Sequence, residues 1–286
     1  MTAPDTVRDA LAATAARFAA AGVDEPRADA ELLLAHVLET DRIGLVVHAR
    51  EPVPAASAAR LEDLVRRREA REPVFQLVGR REFWSFDVAV DRRVLCPRPE
   101  SELLVETVVA LAPDARRILD CGTGSGALAA ALARELPRAE IVASDCSAEA
   151  LAVASANLAR LAPRVRLVRA TWLTAFRPGS FEVIVSNPPY IPSATLARLA
   201  PEVRDFEPPA ALDGGPDGLA AIRELLGSAK HVLRPGGRLV MELGAGQGPA
   251  AQALAARGGW PAAETRVDAA GIERVLVARC GEGEDG

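Results

Sequence analysis

Four consecutive residues, Asn187-Pro188-Pro189-Tyr190, carry the densest chemical signal in this 286-residue chain. They follow Phe181-Glu182-Val183-Ile184-Val185-Ser186, an apolar run suited to a buried strand. Two prolines cannot extend a sheet, so they stiffen the loop and remove backbone donors from it. Tyr190 is the only tyrosine in the chain. A proline-rich strand exit by itself does not call for an amide, a rigid loop and an aromatic ring in succession. The chemistry that needs this set is methyl transfer to a planar, weakly nucleophilic NH2, whose lone pair is delocalised into its carbonyl. Such a nitrogen has to be oriented and kept from water. The side-chain oxygen of Asn187 and the carbonyl of Pro188 can each accept one of its N–H bonds. That aims the nitrogen at a methyl donor by orientation rather than by acid–base work. The ring of Tyr190 can pack on the flat group and turn its π face toward a cationic donor.

A second constellation, Gly122-Thr123-Gly124-Ser125-Gly126, sits between an apolar run at 117–121 and an alanine-rich helical stretch to about residue 136. A strand–glycine–helix junction lets a ligand approach the backbone at a sheet's carboxyl edge. Single residues separate the glycines, unlike the dinucleotide fingerprint, which leaves two between its second and third. This tight form points away from pyrophosphate binding. Asp145 ends the next apolar run, 23 residues beyond Gly122, where an acid can accept hydrogen bonds from ribose hydroxyls. A plain glycine turn with a helix-capping aspartate reads the same way, so this pair alone decides little.

The elements that must carry these residues follow from periodicity. Apolar residues recur at helical spacing through the first seventy positions, broken by Gly22 and Pro26, with a third helix over 55–71. On that helix Arg66, Arg67 and Arg68 read as a solvated face, or otherwise as a docking surface for an acidic or nucleic-acid-bearing partner. Residues 74–78 and 83–90 suit two short strands with Gly79 near the turn, a hairpin spanning 73–96 that joins two domains. The prolines of Cys96-Pro97-Arg98-Pro99-Glu100 end it. Beyond, strands at 117–121, 141–144, 165–168, 181–186, 238–243 and 273–278 alternate with helices. Repeated βα units of this kind predict an α/β fold, a doubly wound sheet with helices on both faces. The predicted division is therefore 1–72 helical, 73–96 hairpin and 97–286 α/β, with a frayed tail at 281–286.

Composition narrows the function classes. The net charge of −5, from 34 basic and 39 acidic residues, implies no basic face and disfavours direct nucleic-acid binding. The longest apolar run, at 127–133, is far too short for a bilayer, and the start of the chain carries no secretory pattern, so a cytoplasmic protein without a membrane partner is expected. Three scattered histidines and four cysteines without a C-x-x-C pair imply no metal site and cysteines used as small core residues.

Taken together, the motifs resemble those of the bacterial release factor glutamine methyltransferases, a family of S-adenosylmethionine-dependent enzymes. The resemblance runs over about residues 5–280. It includes Gly79-Arg80-Arg81-Glu82-Phe83-Trp84, Pro97-Arg98-Pro99-Glu100, the glycine loop, Asn187 to Tyr190, Glu207-Pro208 with Ala211-Leu212, and Gly271-Ile272-Glu273-Arg274-Val275. It implies a Rossmann-like class I methyltransferase domain behind a small helical domain that recognises substrate. The implied reaction methylates the side-chain nitrogen (N5) of the glutamine in the Gly-Gly-Gln motif of peptide chain release factors, modulating translation termination and leaving S-adenosylhomocysteine. Carried over residue by residue, Gly122, Thr123, Gly124, Ser125 and Gly126 line the donor's methionine and ribose, Asp145 binds the ribose hydroxyls, and Trp172 stands beside the adenine. Asn187 touches donor and substrate, Pro188, Pro189 and Tyr190 hold the glutamine, and Arg98 and Glu100 line its entrance. Thr171 stands where the family usually has aspartate, Cys121 where it prefers leucine, Cys96 where it prefers isoleucine, and Ser101 where it has threonine. The resemblance makes release factors the partners and a monomer the expected state. Related readings are a ribosomal-protein glutamine methyltransferase, which shares the catalytic domain, a DNA amino-methyltransferase, disfavoured by the net charge, and a non-catalytic binding module, disfavoured by the intact Asn187–Tyr190 motif.

Overall fold

The computed structural model describes residues 6–282, so most of the tail expected to fray lies outside the described residues. The chain forms two compact units, one of residues 1–80 with 200–206 and one of residues 81–199 with 207–286.

The first unit is helical. Helices α1 (Val7–Ala20), α2 (Pro26–Val37), α3 (Arg42–Val47), α4 (Ala55–Glu69) and α5 (Val74–Val78) enclose a core built on Phe18, Leu33, Leu34, Leu61 and Val65. Thr6 caps α1 by accepting from the Asp9 N–H, and Asp41 caps α3 by accepting from Gly44. The segment 200–206 belongs here and contains α9 (Pro201–Arg204). Glu202 joins it to α4, because Arg68 and Arg71 both reach this carboxylate, at 2.9 and 2.7 Å. Arg68 also meets Asp29 at 2.7 Å and is only 5% exposed. The expected solvated arginine face is therefore corrected at one position. Arg66 and Arg67 are exposed and pair with Asp63 and Glu72, whereas Arg68 turns inward to a buried ion-pair cluster.

Residues 74–78 are helical, not a strand. Pro73 precedes the first turn and Gly79, at φ 77°, ends it in the left-handed region. The hairpin that follows consists of β1 (Arg80–Phe83) and β2 (Phe86–Ala89), and its turn is Trp84-Ser85 rather than Gly79. Both turn residues have positive φ, 51° and 60°, as a two-residue hairpin turn requires. Three hydrogen bonds offset that strain: Glu102 accepts from the Trp84 backbone, Glu135 from its indole, and the Trp84 carbonyl from Arg134.

The second unit is a seven-stranded sheet flanked by helices. In chain order it contains α6 (Glu102–Leu111), β3 (Arg117–Cys121), α7 (Ala127–Glu135), β4 (Glu140–Asp145), α8 (Ala148–Leu161), β5 (Arg166–Arg169) and β6 (Phe181–Ser186). After the excursion to the helical unit come α10 (Ala220–Val232), β7 (Leu233–Glu242), α11 (Gly248–Arg257), β8 (Ala262–Val267) and β9 (Glu273–Arg279). The strand order is β5-β4-β3-β6-β7-β9-β8, parallel through β7, with β9 antiparallel to both β7 and β8. Strand β6 has the bounds expected from sequence. The order reverses between β3 and β6, and a crevice opens outside the carboxyl ends of strands at such a switch point. The glycine loop, Asp145 and Asn187 all sit at those carboxyl ends. Cys96, Cys121 and Cys280 are buried as expected, but Cys146, just past the end of β4, is exposed.

Candidate active site

A cleft of about 250 Å³ opens at the switch point. Gly122, Thr123, Gly124, Ser125, Asp145, Trp172, Asn187, Pro188 and Pro189 line it together with Ser101, Thr171 and Cys146. Nine of the thirteen residues named from sequence thus line one cleft. Gly126, Tyr190, Arg98 and Glu100 do not line it.

The loop after β3 explains part of that division. Gly124 has φ 54° and open space where a Cβ would be, so its backbone is available to a ligand. Gly126, at φ 83°, instead faces α8. A Cβ there would stand 3.2 Å from Leu158 and 3.4 Å from the Ala154 backbone, so this glycine serves the packing of α7 on α8. Asp145 secures the loop from β4. Its Oδ2 accepts the Gly124 N–H at 2.9 Å and its Oδ1 the Ser147 N–H at 2.9 Å. Trp172 is held at φ 49°, a left-handed conformation that costs a large side chain energy and presents the ring to the cleft.

Beneath the loop lies Asp120, an acid inside an apolar strand that belongs to none of the motifs above although its type and place were a visible signal. It is fully buried. Its Oδ2 accepts from the Thr123 hydroxyl at 2.6 Å and the Ala129 N–H at 3.2 Å, tying the loop to the first turns of α7. Its Oδ1 has no hydrogen-bond partner among the described residues. Burial pushes the Asp120 carboxyl from 3.8 up to about 7, against the lowering effect of these two bonds. Between about pH 4 and 7 the unfolded chain therefore gives up a proton that the folded chain keeps, and stability falls as pH rises through that window. Asp120→Asn retains the acceptor oxygen but cannot ionise. Its stability relative to wild type should rise from pH 4 to pH 7.5 by on the order of 3 kcal/mol, read by denaturant titration at each pH. A pH-independent difference between the two proteins would contradict this assignment. Burial also pushes the Cys121 thiol up to about 12, so it remains protonated and unreactive.

On the far side of the cleft, the Asn187–Tyr190 turn is pinned at several points. Asn187 Nδ2 donates to Ser101 Oγ at 3.0 Å, and the Tyr190 hydroxyl donates to Glu242 at 3.2 Å. Gln247 Nε2 donates to the Tyr190 carbonyl at 3.0 Å, while Ile191 exchanges backbone hydrogen bonds with Leu212 and Gly214. Burial next to Glu242 raises the Tyr190 phenol above its ordinary value, so it stays neutral. Arg98 is committed to Glu207, with Nη2 at 2.8 and 2.7 Å from its two oxygens. Glu207 is buried and also accepts from the Cys96 N–H, so this pair braces the Cys96–Glu100 segment against the return of the chain at 207. Glu100 is exposed. Ser101 and Glu242 were not singled out from sequence as site residues. A serine following Glu100 and a glutamate at the end of an apolar strand acquire meaning only once both are seen buried beside Asn187 and Tyr190.

The arrangement provides a backbone cradle with an acidic residue on one wall and an oriented amide in a rigid turn on the other. Among the described residues no group of three or more His, Cys, Asp or Glu is placed to hold a metal ion, and no helix is long and apolar enough to cross a membrane.

Comparison with known proteins agrees with this geometry. Residues 9–79 match the domain family described as the PrmC N-terminal domain, and residues 99–199 match the methyltransferase small domain. The release factor glutamine methyltransferase of Cereibacter sphaeroides is 45% identical, covering 95% of this chain and 97% of its own. That of Geobacter sulfurreducens is 41% identical, covering 96% and 97%. Among solved structures, a methyltransferase from Pyrococcus furiosus superposes with a TM-score of 0.54 at 19% identity, covering 80% of this chain and all of that one, which shows the shared fold. With relatives this similar over nearly its whole length, and with Gly122 to Ser125 and Asn187 to Pro189 lining one cleft, the chain belongs to the release factor glutamine methyltransferase family.

Proposed function

We propose that this protein transfers a methyl group from S-adenosylmethionine to the side-chain amide nitrogen of the glutamine in the Gly-Gly-Gln motif of release factors. The observation that carries this reading is the position of Asn187, held by Ser101 in a proline-stiffened turn, on the same cleft as the glycine loop and Asp145.

The residues present fit the donor. Gly124 offers backbone without a side chain, the two oxygens of Asp145 are already oriented by the Gly124 and Ser147 N–H groups, and Trp172 provides a flat apolar wall. In this reading Gly122 to Ser125 hold the methionine and ribose portions, Asp145 the ribose hydroxyls, and Trp172 the adenine. Thr171, at the cleft, offers the adenine a hydroxyl in place of a carboxylate. When bound, the donor supplies a methyl group on a sulfonium, an electrophile that needs no metal or acid.

The protein's part is placement. Because Asn187 Nδ2 is committed to Ser101, its Oδ1 is the end that accepts a glutamine N–H, with the Pro188 carbonyl accepting the other. Fixing both hydrogens points the nitrogen in one direction. Pro189 walls the acceptor group, and Tyr190, behind the cleft lining, anchors the turn through Glu242. Transfer leaves the amide nitrogen strongly acidic, and water takes its proton.

The helical unit supplies recognition of the intact factor. One glutamine is too small a contact for selectivity at the protein level. On α3, Ile43, Val46 and Val47 are 73, 76 and 70% exposed, an apolar surface that suits a protein partner. Ile43→Asp with Val46→Asp should raise the KM for intact release factor about 10-fold, a few lost apolar contacts, while the donor Kd stays constant. Unchanged KM would remove α3 from the recognition surface. The reaction itself is tested by incubating the protein with labelled donor and, separately, purified release factors, ribosomal proteins and DNA. Label on the release factor alone is expected; label on ribosomal protein or DNA alone would replace this reading.

A further inference from the structure

Glu242 ends β7 with a carboxylate only 2% exposed, and nothing in the transfer described so far uses it. Its two oxygens meet two different residues of the site. The Ser101 hydroxyl lies 2.6 Å from Oε2, and the Tyr190 hydroxyl 3.2 Å from Oε1. Ser101 in turn stands 3.0 Å from Asn187 Nδ2. Four residues from three separate parts of the chain thus form one hydrogen-bonded line that joins the two ends of the Asn187–Tyr190 turn.

The direction of every bond in that line follows from Glu242, the buried carboxylate between Ser101 and Tyr190. Burial raises the Glu242 carboxyl above its ordinary value, while the hydroxyls of Ser101 and Tyr190 favour its ionised form; ionised, it has no proton and can only accept. Ser101 and Tyr190 each own a single hydroxyl proton, and both spend it on Glu242. The Ser101 oxygen can then only accept from Asn187, so the Asn187 NH2 must face Ser101 and its Oδ1 must face the other way. The opposite rotamer would set Oδ1 against a serine oxygen that has no proton left. It would also present the NH2 to the substrate's own N–H groups, donor against donor.

Resting on the proposed glutamine methylation, we propose that Glu242 is a positioning residue that acts through Ser101 to fix the orientation of the Asn187 amide, so that its oxygen faces the acceptor nitrogen. Glu242 touches neither substrate nor donor. It supplies the polarity, and Ser101 transmits it. The same carboxylate occupies the Tyr190 proton, leaving the Tyr190 oxygen able only to accept.

The test is a double-mutant cycle on the full-length protein with Glu242→Gln, Ser101→Ala and their combination, followed by Ser101→Thr. Single-turnover rates on release factor are read together with KM, donor Kd by calorimetry and Tm. Either single change is expected to lower the rate about 10- to 100-fold, the cost of an unpaired or misdirected polar group, with donor Kd and KM within about 2-fold. A neutral amide at 242 no longer enforces one polarity, because it can donate to Ser101 as well as accept. The combined variant should be little slower than Ser101→Ala alone, because Glu242 acts through that hydroxyl. Ser101→Thr should restore most of the rate that Ser101→Ala loses. A folded Glu242→Gln protein with an unaltered rate, full additivity in the cycle, or no rescue by threonine would each overturn the proposal. Should Glu242→Gln fail to fold, the alanine and threonine variants at 101 still decide whether the hydroxyl relay exists. A wild-type protein that transfers no methyl to release factor would instead sink the functional reading, an outcome separate from any of these.

Discussion

Asn187→Ala is expected to reduce the transfer rate by roughly 100- to 1000-fold, about 3–4 kcal/mol, the scale for removing one aligned hydrogen-bond partner from a preorganised site. The variant should fold, because Asn187 is only partly buried at the exit of β6 and the turn retains Gln247, Ile191 and Pro189. Donor affinity should change much less, since the glycine loop and Asp145 lie on the opposite wall and keep their bonds to one another. The loss should therefore appear in kcat and kcat/KM together, the signature of an interaction made in the transition state. Calorimetry for the donor and rapid-quench kinetics for the transfer separate the two. A folded Asn187→Ala protein with a near wild-type rate would remove the assignment on which the mechanism stands.

The other large effect lies far from the cleft in sequence and concerns stability. Arg68→Ala should destabilise the protein by about 3–5 kcal/mol, because it leaves a buried charge without its partner. Arg68 is 5% exposed and bridges Asp29, 12% exposed, and Glu202, 16% exposed. Burial already raises the Asp29 carboxyl above its ordinary value despite the adjacent guanidinium, so desolvation dominates there. Glu202 is lowered because Arg71 and Arg68 together outweigh its own burial. Removing Arg68 thus strands Asp29 while Glu202 keeps Arg71. Arg66→Ala, whose exposed partner is Asp63, should fall within about 0.5 kcal/mol of wild type. The double variant Asp29→Ala, Arg68→Ala should lose less than the sum of its two single changes, because no charge is left stranded. Urea denaturation reads all four proteins. Equal effects at 66 and 68 would contradict the buried network.

The parts of this protein that were legible in sequence are those whose meaning is local. Strand β6 was bounded correctly because an apolar run meets prolines that cannot continue it. The glycine loop and Asp145 were found because a strand, a turn and a helix follow in order at fixed spacing. Val74 to Val78 was misread because four apolar residues around Gln76 are too few to separate a period of 3.6 from one of 2; Pro73 and Gly79 decided for a helical turn. Strand β8 was missed because its outer position in the sheet leaves Ala262 to Val267 largely exposed, with no apolar alternation to detect. The deeper layer of the site was illegible for a different reason. Asp120, Ser101 and Glu242 are ordinary residue types in their local context. Their roles come from burial and from contacts across the fold, which no spacing in the chain records. The same holds for Arg68, whose two neighbours in the arginine run point to solvent.

The proposed reaction forms one bond, between a methyl group and a glutamine side-chain nitrogen. Tandem mass spectrometry of a release factor, taken after incubation with the protein and S-adenosylmethionine carrying a heavy methyl group, locates that bond directly. The predicted result is a single heavy methyl on the amide nitrogen of the Gly-Gly-Gln glutamine, absent when the protein carries Asn187→Ala and absent when that glutamine is replaced by glutamate. A heavy methyl on any other residue, or on the glutamate of the altered factor, would contradict it.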